Sequence, residues 1–206
     1  MKKFSLVLFA SLALGVQAQI IELPKPEMDG GMPIKDALMK RHTVRDFEEK
    51  ELTLEQISTL LWAANGINRP DEGKRTAPSA RNVQETDIYL FSKKGIFLYM
   101  PKEHALKLIS DTDHRKDISD QKHFAIAPIS LVLVANYDKM KGFDDTNREF
   151  YSSIDCGYVS QNIYLYCVEE LGTVACGAIN RDTLTKVLKL KNAKALLAHP
   201  VGYPAK

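Results

Sequence analysis

The stretch Arg41-His42-Thr43-Val44-Arg45 places two guanidinium groups, an imidazole and a hydroxyl within five consecutive residues. In an extended segment alternate side chains share a face, so Arg41, Thr43 and Arg45 would point one way while His42 and Val44 point the other. A guanidinium binds phosphate oxygens through paired hydrogen bonds, and a neighbouring hydroxyl adds a further donor. The stretch therefore indicates a phosphate-binding segment, and the alternative is a solvated basic helix terminus.

A second polar cluster, Arg75-Thr76-Ala77-Pro78-Ser79-Ala80-Arg81-Asn82, follows a helix-like segment and precedes a strand-like one. Pro78 presets its own φ and biases Ala77 toward extended geometry. Ser79 and Asn82 offer donor and acceptor groups that suit the edge of a heterocycle. The pattern predicts a binding loop, and an ordinary Ser/Asn turn is the alternative.

The hydrophobic pattern predicts a mixture of helices and strands. Thr53 and Gln56 have the spacing of a capping box, and His104 is expected to begin a short helix as a surface or capping histidine. Helices are expected over 33–40, 53–64, about 148–171 with Gly172 as the C-terminal cap, and 181–188; strands are expected over 87–91, 95–99, 129–135, 173–178 and 195–201. The absence of regular β-α-β alternation and of a G-x-G-x-x-G turn favours an α+β fold.

The first residues have the pattern of an export signal. Lys2 and Lys3 precede an apolar run over 4–16, and Val16-Gln17-Ala18 is typical of a cleavage site. A membrane anchor is the alternative, but thirteen residues fall short of the ~20 that cross a bilayer. We expect a signal peptide over 1–18, an extended arm over 19–32 and a single domain over 33–206, exported to the bacterial periplasm without a membrane span after cleavage.

Composition excludes several classes of protein. After removal of the leader, 26 Lys+Arg balance 26 Asp+Glu, so a nucleic-acid-binding surface is not expected. Three cysteines, an odd number, do not make a disulfide framework, and buried free thiols are the expected state. No zinc or calcium motif is present in the sequence, so we predict no metal site.

In type and order, the two polar clusters resemble those of the FMN-dependent nitroreductase family, in which an Arg-His-Ser/Thr-x-Lys/Arg segment precedes a Pro-Ser-Ser/Ala-x-Asn loop. The resemblance runs from about Pro33 to the C-terminus, and the joint order of the motifs carries it. Further matching segments are Leu60-Leu61-Trp62-Ala63-Ala64-Asn65-Gly66, Leu171-Gly172-Thr173-Val174, Ala175-Cys176-Gly177-Ala178 and Val201-Gly202-Tyr203-Pro204. The resemblance implies a nitroreductase-like α+β fold, with a central, mostly antiparallel sheet flanked by helices. It also implies an intertwined homodimer with FMN at the subunit interface.

The resemblance also implies roles for individual residues. Arg41 and Thr43 would hold the phosphate and ribityl end of FMN, with His42 beside them, and Arg45 would approach the N1/O2 edge of the flavin. Lys206, at the end of the chain, is a further candidate for the phosphate.

Two other segments would contact the flavin ring. The partner subunit would contribute the loop residues Pro78, Ser79, Ala80 and Asn82. Gly177 and Ala178 would present backbone N–H groups near flavin O4 and N5. The family usually has an acidic residue followed by glycine at this last position, so Gly177-Ala178 leaves backbone contacts only.

The implied activity is transfer of hydride from a donor to flavin N5 and then of electrons to a small organic acceptor such as a nitroaromatic or quinone. No protein acid or base is required, so no catalytic residue is assigned. NAD(P)H is a hypothesis by family analogy, because an exported enzyme could instead oxidise a small substrate with a non-nicotinamide partner. The alternatives are an exported flavin-binding protein without turnover, and a non-flavin module that contacts a phosphorylated or acidic partner.

Overall fold

The computed structural model describes residues 19–205, so the expected signal peptide and Lys206 lie outside the described residues. Within this range, seven strands form one sheet. The strands are β1 (Ile20–Glu22), β2 (Ile67–Arg69), β3 (Lys74–Arg75), β4 (Thr86–Ser92), β5 (Gly95–Met100), β6 (Ala105–Ser110), β7 (Ile129–Asn136), β8 (Gly172–Thr173) and β9 (Ala193–Gly202). The sheet has the order β1-β6-β5-β4-β7-β9-β8, and β2 pairs with β3 as a separate hairpin. Every neighbouring pair is antiparallel, as predicted.

Helices cover both faces of this sheet. They are α1 (Ile34–Lys40), α2 (Leu54–Asn65), α3 (His123–Ile126), α4 (Asp145–Cys167) and α5 (Arg181–Val187). One apolar cluster joins α2 and α4 to one face of the sheet, and a second joins α3 and α5 to the other. The architecture is therefore the predicted α+β arrangement of a central antiparallel sheet flanked by helices.

Side-chain alternation in the central strands explains the two apolar clusters. In β7, Leu131 and Leu133 pack toward α2 and α4, while Val132 and Val134 pack toward α3 and α5. A strand that is covered on both faces is apolar throughout, because neither set of side chains meets water. This confirms the prediction of a buried strand over 129–135.

The capping residues fix where the two long helices begin. At α2 the Thr53 hydroxyl accepts from the Gln56 amide, and the Gln56 side chain accepts from the Thr53 amide, which is the predicted capping box. At α4, Asp144 Oδ1 accepts from the Asn147 amide at 2.8 Å. The start of α4 at Asp145, before the predicted position 148, follows from this cap.

The predicted end of α4 was wrong, because Gly172 does not cap it. The helix ends at Cys167, and Gly172 begins the short strand β8. A Cβ at Gly172 would lie 2.6 Å from Val44 Cβ. Glycine is therefore required here by close packing against the segment 41–45 and not by the end of a helix.

Two other sequence predictions were also wrong. His104 does not begin a helix: it has φ +45° and precedes β6, and its half-buried ring lies within hydrogen-bond distance of Ser58 Oγ (2.7 Å), Tyr99 Oη (3.0 Å) and the Pro24 carbonyl. The strand expected over 173–178 shortens to β8, with an isolated bridge between Cys176 and Ala198 beyond it. Long-range contacts, which local patterns do not encode, set both outcomes.

The remaining features concern the N-terminal segment and the cysteines. Ile20–Glu22, at the start of the expected arm, pairs with β6 as an edge strand, which the sequence did not predict. All three cysteines are buried and free, as expected. Across residues 19–205, no helix combines the length and the apolar character needed to span a bilayer.

Candidate functional site

The segment 41–45 lies against the sheet edge formed by β8. The Val44 amide donates to the Thr173 carbonyl at 2.9 Å, and the Val44 side chain fills the space left by Gly172. Arg41 is half-buried, whereas His42, Thr43 and Arg45 are exposed. Because Val44 anchors the segment, its polar side chains are directed away from the core.

Tyr164, on α4, connects this segment with the chain leading to Gly177. Its hydroxyl accepts from the Ala175 amide at 2.9 Å and lies 3.3 Å from Thr43 Oγ1. The Arg41 guanidinium carbon is 5.3 Å from the centre of the Tyr164 ring, within the range of a cation–π interaction. Sequence analysis did not select Tyr164, since a tyrosine in a mixed helix carries no local signal of such contacts.

A buried histidine supports Tyr164 from the sheet. His199 packs edge-on against the Tyr164 ring, with ring centres 5.5 Å apart. Thr173 Oγ1 donates to the Pro200 carbonyl and so accepts from His199 Nδ1–H, leaving Nε2 to accept from Ser160 Oγ at 2.8 Å. Burial lowers the pKa of His199 to about 3, so the ring is neutral and its tautomer is fixed by these partners.

The two guanidinium groups of the segment are free to bind an anion. Neither Arg41 nor Arg45 takes part in an ion pair within residues 19–205. The charge of Arg45 reaches Cys176 and His123, whose side chains lie 3.5 Å apart. Burial raises the pKa of Cys176 and lowers that of His123, so both groups are neutral near neutral pH.

Gly177 and Ala178 present unused backbone donors next to this segment. Arg181 donates to the Gly177 carbonyl at 3.0 Å, and Ser119 donates to the Ala178 carbonyl at 2.8 Å. Within the described part of the chain, neither amide of the pair donates to a protein acceptor, and both residues are exposed. Two free N–H groups at one turn suit the carbonyl or ring-nitrogen acceptors of a bound molecule.

The loop at Pro78 contacts α4 at a different point from the segment 41–45. Pro78 and Asn82 are exposed, while Ser79 Oγ accepts from the Gln84 amide at 2.9 Å. The Ala80 amide donates to Asp155 Oδ2 at 2.8 Å, which ties the loop to α4.

A single chain does not bring this loop to the segment 41–45. Asp155, which binds the loop, and Tyr164, which contacts Arg41 and Thr43, are nine residues apart on α4. That spacing corresponds to about 13 Å along the helix axis and roughly half a turn around it. The structure thus joins segments 41–45 and 175–178 and leaves the loop on another face.

Beneath the loop lies a pair of buried carboxyl groups that sequence analysis did not select. Glu85 is fully buried, and Asp155 is 4% exposed. Burial is the main cause that raises the pKa of both groups, to about 7 for Glu85, and the adjacent Asp155 charge raises that of Glu85 further. The pair therefore holds a proton at pH values where an ordinary glutamate has already lost it.

The chain is similar in sequence and structure to known proteins. The model of the nitroreductase family matches residues 38–203. A Methanocaldococcus jannaschii protein named as a candidate nitroreductase is 31% identical over 193 residues, which cover 88% of this chain and 96% of that protein. A crystal structure of a candidate nitroreductase from Ralstonia eutropha JMP134 is 36% identical with a TM-score of 0.87, covering 94% of this chain and 93% of the other.

A more distant structure shows how widely the fold is shared. A crystal structure of a candidate NADH oxidase from Clostridium acetobutylicum has a TM-score of 0.61 at 24% identity, covering 83% of this chain and 89% of the other. The fold and the arrangement of the site define an α+β protein of nitroreductase-like architecture. The chain belongs to the nitroreductase family, and the protein is accordingly an oxidoreductase.

Proposed function

We propose that the protein binds FMN between two copies of the chain and uses it to pass hydride equivalents to a small organic acceptor, such as a nitroaromatic or a quinone. The observation that carries this proposal is that Tyr164 Oη links Thr43 to the Ala175 amide, two residues before the free amides of Gly177 and Ala178. Within residues 19–205, Arg41 and Arg45 form no ion pair. An anionic group and a hydrogen-bonding heterocycle are the two parts of FMN that such an arrangement fits.

The phosphate end of FMN would be held by Arg41 and Thr43, with His42 beside them. The contact with Tyr164 keeps the Arg41 guanidinium from swinging freely, so less side-chain entropy is lost when it binds an anion. Lys206 remains a proposed additional contact to the phosphate.

The flavin end would lie near Arg45 and the turn at Gly177. When bound, FMN supplies N5, the atom that accepts and releases hydride. A cation at Arg45 would stabilise negative charge on the N1/O2 edge and so favour the reduced state. A Cβ at Gly177 would have Leu197 Cδ2 as its near neighbour at 3.8 Å, so the turn leaves room for a ring close to the backbone.

A second copy would complete the site with Pro78, Ser79, Ala80 and Asn82, because these residues lie on a different face of α4 within one chain. Exposed apolar side chains support a homodimer. On α4, Phe150, Ile154 and Tyr158 recur at intervals of four residues and are 58%, 38% and 47% exposed. Such a stripe on a helix is typical of a surface that another protein covers.

NAD(P)H is the proposed electron donor, by analogy with the family to which the chain belongs. The leader pattern over 1–18 supports a second candidate, in which an exported enzyme in the periplasm oxidises a small substrate and passes electrons to a non-nicotinamide partner. An anaerobic donor screen separates the two candidates: a bound flavin that NADH and NADPH both leave oxidised, but that another donor reduces, supports the second.

Absorption spectroscopy of the purified protein, with and without added FMN, tests the central proposal. We expect bound flavin, and we expect Arg41→Ala to weaken FMN binding more than the matched change Arg69→Ala on the exposed hairpin. Bound FMN that no donor reduces would leave a flavin carrier without turnover. A protein that stays colourless and does not bind FMN would refute the flavin assignment and favour a module for a phosphorylated or acidic partner.

A further inference from the structure

The environment of the Glu85 side chain is unfavourable for an ionised carboxylate. Its side chain has 0% exposure, and within residues 19–205 neither of its oxygens accepts a hydrogen bond. A buried ionised carboxylate without donors is strongly unfavourable. A protonated Glu85 resolves the problem, because its hydroxyl can donate to the neighbouring Asp155 carboxylate.

Asp155 in turn holds the loop at Pro78. Its Oδ2 accepts from the Ala80 amide at 2.8 Å, and a small cavity lined by Ser79, Thr86 and Asn65 borders it. An ionised carboxylate accepts a stronger hydrogen bond from a backbone amide than a neutral one does. With the proton on Glu85, Asp155 stays ionised and accepts from Ala80, whereas a second negative charge on Glu85 would repel the Asp155 carboxylate and disturb this bond.

The loop needs such an anchor because its backbone is strained. Arg81, Asn82 and Gln84 have φ angles of +51°, +55° and +53°, a region that residues with a Cβ seldom adopt. Three such residues within four positions store conformational free energy that surrounding contacts must offset. The loop would relax if the bond from Ala80 to Asp155 weakened.

The charges around the pair do not compensate for a second negative charge. The charge of Lys139 acts on Glu85, but the Lys139 ammonium group pairs with Asp87 and also donates to the Gln84 carbonyl. Arg75 acts on Glu85 from β3, with its Nε donating to Gln84 Oε1. On α4, the Cys156 thiol stays neutral, because burial raises its pKa to about 12.

We propose that Glu85 and Asp155 share one proton and act as positioning residues for the Pro78 loop, so that loss of the proton loosens the Ala80 anchor. The proposal also has a consequence for FMN binding, and that consequence rests on the proposed function. If the loop contacts FMN, affinity falls as the pair becomes doubly ionised, by up to about tenfold per pH unit for one linked proton.

The backbone amide of Ala80 reports the anchor without any need for FMN. We expect its NMR chemical shift in the purified protein to titrate with one proton near neutral pH, and we expect its hydrogen exchange to accelerate with pH more steeply than in Glu85→Gln. Glu85→Gln keeps an N–H donor for Asp155 but cannot ionise, so the titration should disappear. Glu22→Gln, which changes an exposed glutamate on β1, should leave it intact.

Affinity for FMN is measured in the same variants from about pH 6 to 8.5, the range around the shared proton. The wild type should lose affinity relative to Glu85→Gln as the pH rises, a comparison that cancels the ionisation of the FMN phosphate itself. An Ala80 amide that does not titrate in the wild type, or that titrates equally in Glu85→Gln, overturns the proposal. Absence of FMN binding at every pH would refute the proposed function and leave the amide result to decide the proton-sharing pair.

Should Glu85→Gln fail to fold, carboxyl carbon NMR of the wild type decides the matter. Glu85 protonated well above the usual range of a glutamate supports the shared proton, and a Glu85 that ionises near its ordinary pKa of 4.5 overturns it.

Discussion

The hydroxyl oxygen of Tyr164 lies 3.3 Å from Thr43 Oγ1, across 121 residues of sequence. The same oxygen accepts from the Ala175 amide, so one atom joins the segment 41–45 to the chain that leads to Gly177. Together with the hydrogen bond from Val44 to Thr173, this oxygen sets the relative position of the two halves of the proposed site.

Tyr164→Phe should therefore weaken FMN binding. The change removes the acceptor for Ala175 and the partner of Thr43, each of which contributes about 1 kcal/mol. We expect the Kd for FMN to rise about 5- to 30-fold, measured by quenching of flavin fluorescence. Tyr89→Phe is the matched control, because the Tyr89 hydroxyl has no hydrogen-bond partner within residues 19–205. Equal affinities for the two variants would contradict the role given to Tyr164.

Gly172→Ala should destabilise the protein by overpacking. A Cβ at this position would approach Val44 side-chain carbons to 2.6 Å, and overpacking of this kind costs about 1–3 kcal/mol. The double variant Gly172→Ala with Val44→Ala should recover part of that loss, because the smaller side chain at position 44 provides the room. Denaturant unfolding of the two single variants and the double variant measures the coupling. Strictly additive losses would show that the two residues do not compete for this space.

Stability should depend on pH through Glu85. Its pKa in the folded chain is raised from 4.5 to about 7, so the folded state binds more protons than the unfolded state between those values. The contribution of Glu85 is complete below about pH 4.5 and is lost as the pH rises through about 7. Glu85→Gln should accordingly flatten this fall in thermal stability. The prediction fails if the stability of wild type and variant changes in parallel from pH 5 to about pH 8.

Ile154→Arg should disrupt the proposed dimer. Ile154 is 38% exposed in the apolar stripe of α4, and a charge in the centre of a covered apolar surface is strongly unfavourable. Light scattering after gel filtration should show a monomer with weakened FMN binding. Ile109→Arg on β6, where Ile109 is 36% exposed, should leave both properties unchanged. A dimer that persists in Ile154→Arg would place the interface elsewhere.

Local chemistry explains why several elements could be predicted. The capping box at Thr53 and the almost wholly apolar strand over 129–135 are encoded within a few neighbouring residues, and both are confirmed. The roles assigned to Arg41, Pro78 and Gly177 in binding FMN stay predictions.

Other features depend on contacts between distant residues. The sequence predicts Gly172 to be a helix cap, yet in the structure Gly172 packs against Val44. It predicts His104 to be a surface or capping residue, yet the His104 ring contacts Ser58 and Tyr99. His104 and Ser58 are 46 residues apart in the sequence, and Gly172 and Val44 are 128 residues apart. Local periodicity contains no information about partners at such separations.

The sequence by itself determined the family, the α+β class and the order of the polar motifs, since these depend on residue types and spacing along one chain. Only the tertiary structure decided that Tyr164 joins two of those motifs and that Asp155 holds the third on another face of the same helix. It also placed Glu85 beside Asp155 away from water, and this burial is the main cause that raises the pKa of Glu85.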